Sequence, residues 1–194
     1  FPANMREIKK IAVRNNIKII EDCAQAHGAK YRGKLVGTFG DIGIFSLNVN
    51  KTIQSGEGGV CITNSRDVSY RLKLIRNHGE AVVGPAKYKN ITNIAGFNYR
   101  MTELTAAIAN IQLSKLNNLN SYRLKLIKYF ISKINKFDYI TPFISRKECR
   151  TCKCKLRCLS TFYIMPLKFE KKKINLSRTK FLKIVNAEGA KFYE

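Results

Sequence analysis

The sequence is short of several things, and each shortage removes a class of protein. No run approaches the roughly 20 consecutive apolar residues that a membrane-spanning helix needs. No charged-then-apolar leader of the secretory kind stands at the start. The expectation is therefore a cytoplasmic chain without a membrane partner. Acidic residues are scarce, 13 against 36 basic ones, for a formal net charge of +23. That balance invites a nucleic-acid reading, yet the lysines and arginines are not clustered. They are scattered from Arg6 to Lys191 among abundant Asn and Ile, a composition that AT-rich coding produces without any polyanionic partner. Charge of this dispersed kind speaks to solubility and non-specific binding, so no specific nucleic-acid partner is expected. Six cysteines are present, but Cys149, Cys152, Cys154 and Cys158 crowd into one short stretch, which is not an evenly spaced disulfide framework. A single residue between Cys152 and Cys154 also makes a tight fit for a tetrahedral zinc site. The expectation is reduced thiols and no metal. No internal repeat is evident.

What is there is a chain of 194 residues, 45% of them hydrophobic, enough for a sizeable core. The legible chemistry lies between Glu21 and Gly59. Ile17 to Ile20 reads as a short buried strand that delivers Asp22, and the apolar run Ile42 to Leu47 reads as a second strand ending just before Lys51. In open α/β sheets, loops at the carboxyl ends of the strands hold ligands, so Asp22 and Lys51 are expected to face one crevice. A lysine after a buried strand, near Ser46 and Ser55, has the setting for nucleophilic amine chemistry. Taken alone, Asp22 is equally a turn residue and Lys51 equally a solvated one. The glycines from Gly56 to Gly59 lack the spacing of the common phosphate loops.

The remaining pattern is alternation of helix and strand. Met5, Ile8, Ile11 and Ala12 form one helix face, and Gly28 to Gly40 reads as a hairpin turning at Tyr31 to Lys34. Gly59 to Thr63 reads as a strand, followed by a helix capped by Asn64 or Ser65 and ended by Gly79. Val82 to Phe97 reads as a long loop. Thr102 opens the longest helix, with Leu104, Ala107, Ile108 and Ile111 on the face expected to enter the core. Leu159 to Phe169 reads as a strand interrupted by Pro166, and Ser177 caps a last helix closed by Gly189. The change of character near Phe143 divides the chain into residues 1–143, a large domain with its connecting helix, and 144–194, an incomplete smaller domain.

Five motifs then occur in order: EDCAQAHGA, FSLNVNK, SGEGG, RNHG and GFNYRMTELTAAIA. Together they make residues 1–121 resemble the DegT/StrS sugar aminotransferases, and SRTKFLKIVNAEGA is similar to a helix of that family's small domain. The resemblance implies an α/β protein of PLP-transferase fold type I, with a mixed, mostly parallel sheet flanked by helices and the start of a smaller α+β domain. It implies pyridoxal 5'-phosphate as cofactor, a nucleotide-linked keto sugar as acceptor, glutamate as amino donor and a homodimer. By the same resemblance, Asp22 matches the carboxylate that pairs with the cofactor's ring nitrogen and Gln25 a residue beside the ring. Ser46 matches a phosphate-contacting hydroxyl, Lys51 the lysine that bonds the cofactor covalently and moves protons, and Asn98 an asparagine reaching the phosphate of the neighbouring subunit. Glu57 is expected to brace the loop, and His27 and His78 to make structural hydrogen bonds. Related dehydratases carry histidine in place of the lysine, so Lys51 favours amino transfer over dehydration. Family members are much longer, and the backbone that cups the cofactor phosphate is expected before Phe1. A dehydratase of the same fold, an inactive fragment and a basic nucleic-acid-binding module are the other readings.

Overall fold

The computed structural model describes residues 1–80, 94–142 and 158–193. Its centre is a three-stranded sheet in the order β1-β4-β5, built from β1 (Ile20–Asp22), β4 (Ile42–Ser46) and β5 (Gly59–Ile62). β1 runs parallel to β4, with Asp22 opposite Ile44, and β5 runs antiparallel to β4, with Ser46 opposite Gly59. The sheet is thus mixed, as expected for this fold class. The first strand begins later than the sequence suggests: Ile17 is exposed, while the Ile19 N–H is taken by the Asp41 carboxylate at 2.9 Å. Asp22 is therefore the last residue of the strand itself.

Between β1 and β4 lies the hairpin of β2 (Lys30–Tyr31) and β3 (Lys34–Leu35), paired antiparallel. Its two turn residues, Arg32 and Gly33, both have positive φ, 52° and 88°. This is the backbone that a two-residue hairpin with the natural strand twist requires. The core sits beneath this hairpin, where Cys23, Ala29, Tyr31 and Val36 pack with Met5 of α1 (Met5–Arg14). In α1 only part of the predicted face is buried: Met5 and Ala12 are covered, Ile8 and Ile11 are exposed. β4 presses close on the loop before it. A Cβ on Gly43 would lie 2.3 Å from the Gly37 carbonyl oxygen, so only glycine permits this approach.

The three predicted helix caps are all made. The hydroxyls of Ser65, Thr102 and Ser177 accept the N–H groups of Val68, Thr105 and Lys180, opening α2 (Arg66–Arg76), α3 (Glu103–Ile134) and α4 (Arg178–Ala187). Each satisfies one of the amide donors that a helix start leaves unpaired. Gly79 closes α2 by donating its N–H to the Leu74 carbonyl at 2.8 Å.

The core role expected for the apolar face of α3 does not hold for its first half. Leu104, Ile108 and Ile111 are exposed by 79%, 48% and 59%. The helix packs down through the opposite face, along Ala109, Leu116, Asn120, Arg123, Ile127 and Ile134. Helical periodicity shows that a face is apolar but not what covers it.

β6 (Ile140–Pro142) pairs antiparallel with β7 (Leu167–Phe169). The rings of Tyr139, Phe169 and Phe181 pack there, with centroids 4.9–6.0 Å apart. The interruption expected at Pro166 is present, and the stretch from Leu159 to Phe169 falls into two separate pieces. Leu159 makes an isolated bridge to Lys30, and only the stretch after Pro166 is a strand. This follows from the proline, which lacks the N–H a continuous ladder needs.

Candidate active site

The site lies at the carboxyl end of the parallel pair β1 and β4. Strand residues alternate between faces. Glu21 is buried on one face, while Ile20 and Asp22 are exposed on the other. The register places Ile44 opposite Asp22, so Ser46, two residues further, shares that face. Strand spacing and rise separate the Asp22 and Ser46 backbones by roughly 8 Å. The Asp22 carboxylate is fixed through Oδ1, which accepts the Ala24 N–H at 3.0 Å, leaving Oδ2 available. Gln25 follows on the same turn and is exposed.

Glu21 organises the wall behind this face. Its buried carboxylate accepts three backbone N–H groups, from Gly37 at 2.8 Å, Phe39 at 2.5 Å and Gly40 at 2.7 Å. An ionised carboxylate is an acceptor only, so three amide donors satisfy it without a cation. Nothing in the sequence singles out Glu21 over its neighbour; the strand's alternation alone separates the inward carboxylate from the outward one.

Lys51 stands on the loop from Leu47 to Gly58, which is stitched to itself. Leu47 donates to the Gly58 carbonyl at 2.8 Å, Ser55 to the Leu47 carbonyl at 2.9 Å, and Lys51 to the Asn48 carbonyl at 2.9 Å. Glu57 does brace the loop, accepting from the Asn48 side-chain amide at 2.6 Å. Thr52, Ile53 and Ser55 are buried, so the backbone carrying Lys51 is anchored on its far side. The Lys51 ammonium lies over the Tyr163 ring, 5.0 Å from its centroid. Arg123 of α3 donates to Thr52 Oγ1 at 2.7 Å and to the Thr161 carbonyl at 3.5 Å. Neither Tyr163 nor Arg123 belongs to a motif that drew notice in the sequence.

The histidines differ from expectation. His27 is buried, and its ring packs on Phe45 with centroids 5.6 Å apart. Among the described residues neither ring nitrogen has a hydrogen-bond partner, so the structural bond expected of it is not made there. Burial holds its pKa below the usual 6.5. The Ser46 backbone opposes that shift without reaching hydrogen-bond geometry, while the charges of Lys51 and Arg123 add to it. The ring is neutral at pH 7. The His27 carbonyl accepts the Asn120 side-chain amide at 3.0 Å, and Asn120 Oδ1 is itself buried without a partner. His78 is exposed, and it is its backbone N–H that bonds, to the Phe97 carbonyl at 3.1 Å.

Asn98 is brought near none of these groups by any bond. It is exposed and bridges Asn77 through the backbone, beside the stacked rings of Phe97 and Tyr99. Most of the loop from Val82 to Phe97 and the cysteines 149, 152 and 154 lie outside the described residues. Cys158 is described: its sulfur accepts the Arg32 N–H at 3.3 Å. Among the described residues no cluster of His, Cys, Asp or Glu has the arrangement of a metal site, and no helix is long and apolar enough to cross a membrane.

A carboxylate, a hydroxyl and an amine at one end of a mixed sheet suit several chemistries, and the chain's likeness to known proteins bears on the choice. The model of the DegT/DnrJ/EryC1/StrS aminotransferase family matches residues 1–193. The chain belongs to this family. It is 40% identical over 134 residues to the GDP-perosamine synthase of Escherichia coli O157:H7, covering 69% of this chain and 36% of that protein. Among solved structures, the aminotransferase from Psychrobacter cryohalolentis superposes with a TM-score of 0.83 at 27% identity, over 97% of this chain and 50% of that one. The E. coli GDP-4-keto-6-deoxy-D-mannose-3-dehydratase, solved with bound hydrated pyridoxal phosphate, superposes with a TM-score of 0.80 at 27% identity, over 98% of this chain and 49% of that one. The family is pyridoxal-phosphate-dependent. The chain spans about half the length, or less, of these relatives.

Proposed function

We propose that the protein to which this chain belongs transfers an amino group from an amino acid, glutamate by resemblance, to a nucleotide-linked keto sugar, for amino-sugar and polysaccharide synthesis in the cytoplasm. The observation that carries this reading is the placement of Lys51. It follows β4 on an anchored loop, at the same end of the parallel pair where Asp22 closes β1.

The residues present suit pyridoxal phosphate. An amine, an outward carboxylate and a hydroxyl answer its aldehyde, its ring nitrogen and its phosphate. When bound, the cofactor supplies the carbonyl that accepts the amino group and a ring that withdraws electrons. Asp22 would keep a proton at the ring nitrogen, its Oδ1 being held in place by the Ala24 amide. Ser46 would donate its hydroxyl to the phosphate, and Gln25 would flank the ring. Lys51 Nζ would supply the covalent anchor and would carry the proton that amino transfer must move. The lysine, where the related dehydratases have histidine, favours amino transfer.

Asn98 is assigned to the site of a second copy, in a homodimer with shared sites. Its exposure supports this, as does the uncovered apolar face of α3 at Leu104, Ile108 and Ile111, since such faces mark interaction surfaces. Residues 1–143 are assigned to the cofactor-binding domain and 144–194 to the start of a smaller one. The test is incubation of the full-length protein with nitrogen-15 glutamate and a panel of nucleotide-linked keto sugars, followed by mass spectrometry. A labelled amino sugar from one of them is expected. Loss of water from the sugar without nitrogen transfer contradicts the proposal.

A further inference from the structure

We infer that Tyr163 is a positioning residue that parks the free ammonium of Lys51, stabilising the lysine in its unlinked state. This rests on the function proposed above and adds a residue to it. The Lys51 ammonium lies 5.0 Å from the Tyr163 ring centroid, within the range where the electron-rich face of an aromatic ring attracts a cation. The other cation–ring contacts among the described residues pair residues close in sequence: Lys34 with Phe39, Lys133 with Tyr129 and Lys136 with Phe137. The pairing of Lys51 with Tyr163 joins distant parts of the chain.

Both sides of the contact are anchored by bonds other than the contact itself, and Arg123 ties the two together. Lys51 rides on the loop anchored by buried Thr52 and Ile53. Tyr163 ends a segment that Lys30 and Leu159 fix by two mutual backbone hydrogen bonds of 2.9 and 2.8 Å. Thr161, in the same segment, is only 2% exposed, and its carbonyl accepts from Arg123, whose guanidinium also holds Thr52. Phe162 adopts a φ of 47°, a left-handed conformation unfavourable for a bulky residue. Strain of that kind persists where the surroundings over-determine it, and it gathers at functional sites. Here it turns the chain so that the ring of Tyr163 follows directly on the Arg123 clamp.

A lysine that alternates between a covalent link and a free amine needs a defined place when released. An interaction made only in the released state favours that state by its own free energy. When the amine captures an aldehyde, the nitrogen bonds the carbonyl carbon, the oxygen leaves as water and the ring contact with the free ammonium is given up. Removing the ring should therefore tighten covalent capture, whereas a residue with only a structural role would weaken it on removal.

The experiment uses full-length protein stripped of cofactor and titrated with pyridoxal phosphate. Borohydride reduction fixes the adduct, and mass spectrometry reads the fraction carried on Lys51 at equilibrium. Tyr163→Leu, and Tyr163→Met as a variant of different shape, should reach half-occupancy at about two- to fivefold lower cofactor concentration. Tyr163→Phe, which keeps the ring, should match the parent. Unchanged or weaker capture in the Leu and Met variants overturns the inference, as does a Phe variant that behaves like them. Adduct on Lys51 in the parent, with unchanged variants, overturns the role of Tyr163 alone. No adduct on Lys51 in the parent overturns the functional reading as well.

Discussion

Arg123 reaches from the middle of α3 to donate a hydrogen bond to Thr52 Oγ1 at 2.7 Å, and so ties the long helix to the residue beside Lys51. A part-buried charged donor of this kind contributes about 1.5–3 kcal/mol. In full-length protein, Arg123→Met should lower unfolding stability in urea by about that amount. Arg123→Lys should recover only part, since an ammonium lacks the planar fork that serves two acceptors at once. Equal stability of Arg123→Met and the parent would contradict the clamp.

Glu21 is the inward partner of outward Asp22, and its three backbone donors make it the fixed point of the turn from Gly37 to Gly40. Glu21→Gln places an NH2 group where an acceptor is needed. The expected cost is about 1.5–3 kcal/mol, measured by denaturant unfolding of the full-length protein. Asp22→Asn, on the open face, should cost little stability while weakening cofactor binding. The two neighbouring carboxylates thus separate by readout.

His27 gives the fold an acid-sensitive point. Its folded pKa lies below 6.5, chiefly through burial. Well above pH 6.5 the ring is neutral in both folded and unfolded chains and contributes no pH dependence. As pH falls below 6.5 the unfolded chain takes up a proton that the folded chain resists, so stability falls until the lower folded value is passed. His27→Leu should remove this component, seen as a smaller loss of urea stability between about pH 7.5 and about pH 5.5. An identical loss in both proteins would show that other groups carry it.

What could be read in the sequence was mostly short-range. The caps at Ser65, Thr102 and Ser177 and the turn at Arg32 and Gly33 depend on atoms within a few residues, and each formed as expected. Position at the ends of two short apolar runs was enough to place Asp22 and Lys51 at one end of the sheet. What escaped is long-range: the three amides on Glu21, the ring of Tyr163 at Lys51 and the Arg123 clamp join segments whose approach no local pattern encodes. His27 was misread for the same reason, because its motif names the residue but not the Phe45 ring against which it packs without a polar partner.

The proposed sharing of sites between two copies can be tested by subunit exchange. Asn98→Ala and Lys51→Ala proteins, each inactive alone, should regain activity when mixed, because one site of the heterodimer then has both residues intact. Mixtures that never exceed the parents would rule out the action of Asn98 across the interface.

The most direct measurement is the visible absorption of the full-length protein loaded with pyridoxal phosphate, compared with its Lys51→Ala variant and followed by borohydride reduction and peptide mapping. The account predicts a coloured protein whose reduced cofactor maps to Lys51, and a variant that gains no covalent cofactor. A reduced adduct at another lysine, or a parent protein that stays colourless in excess cofactor, would contradict it.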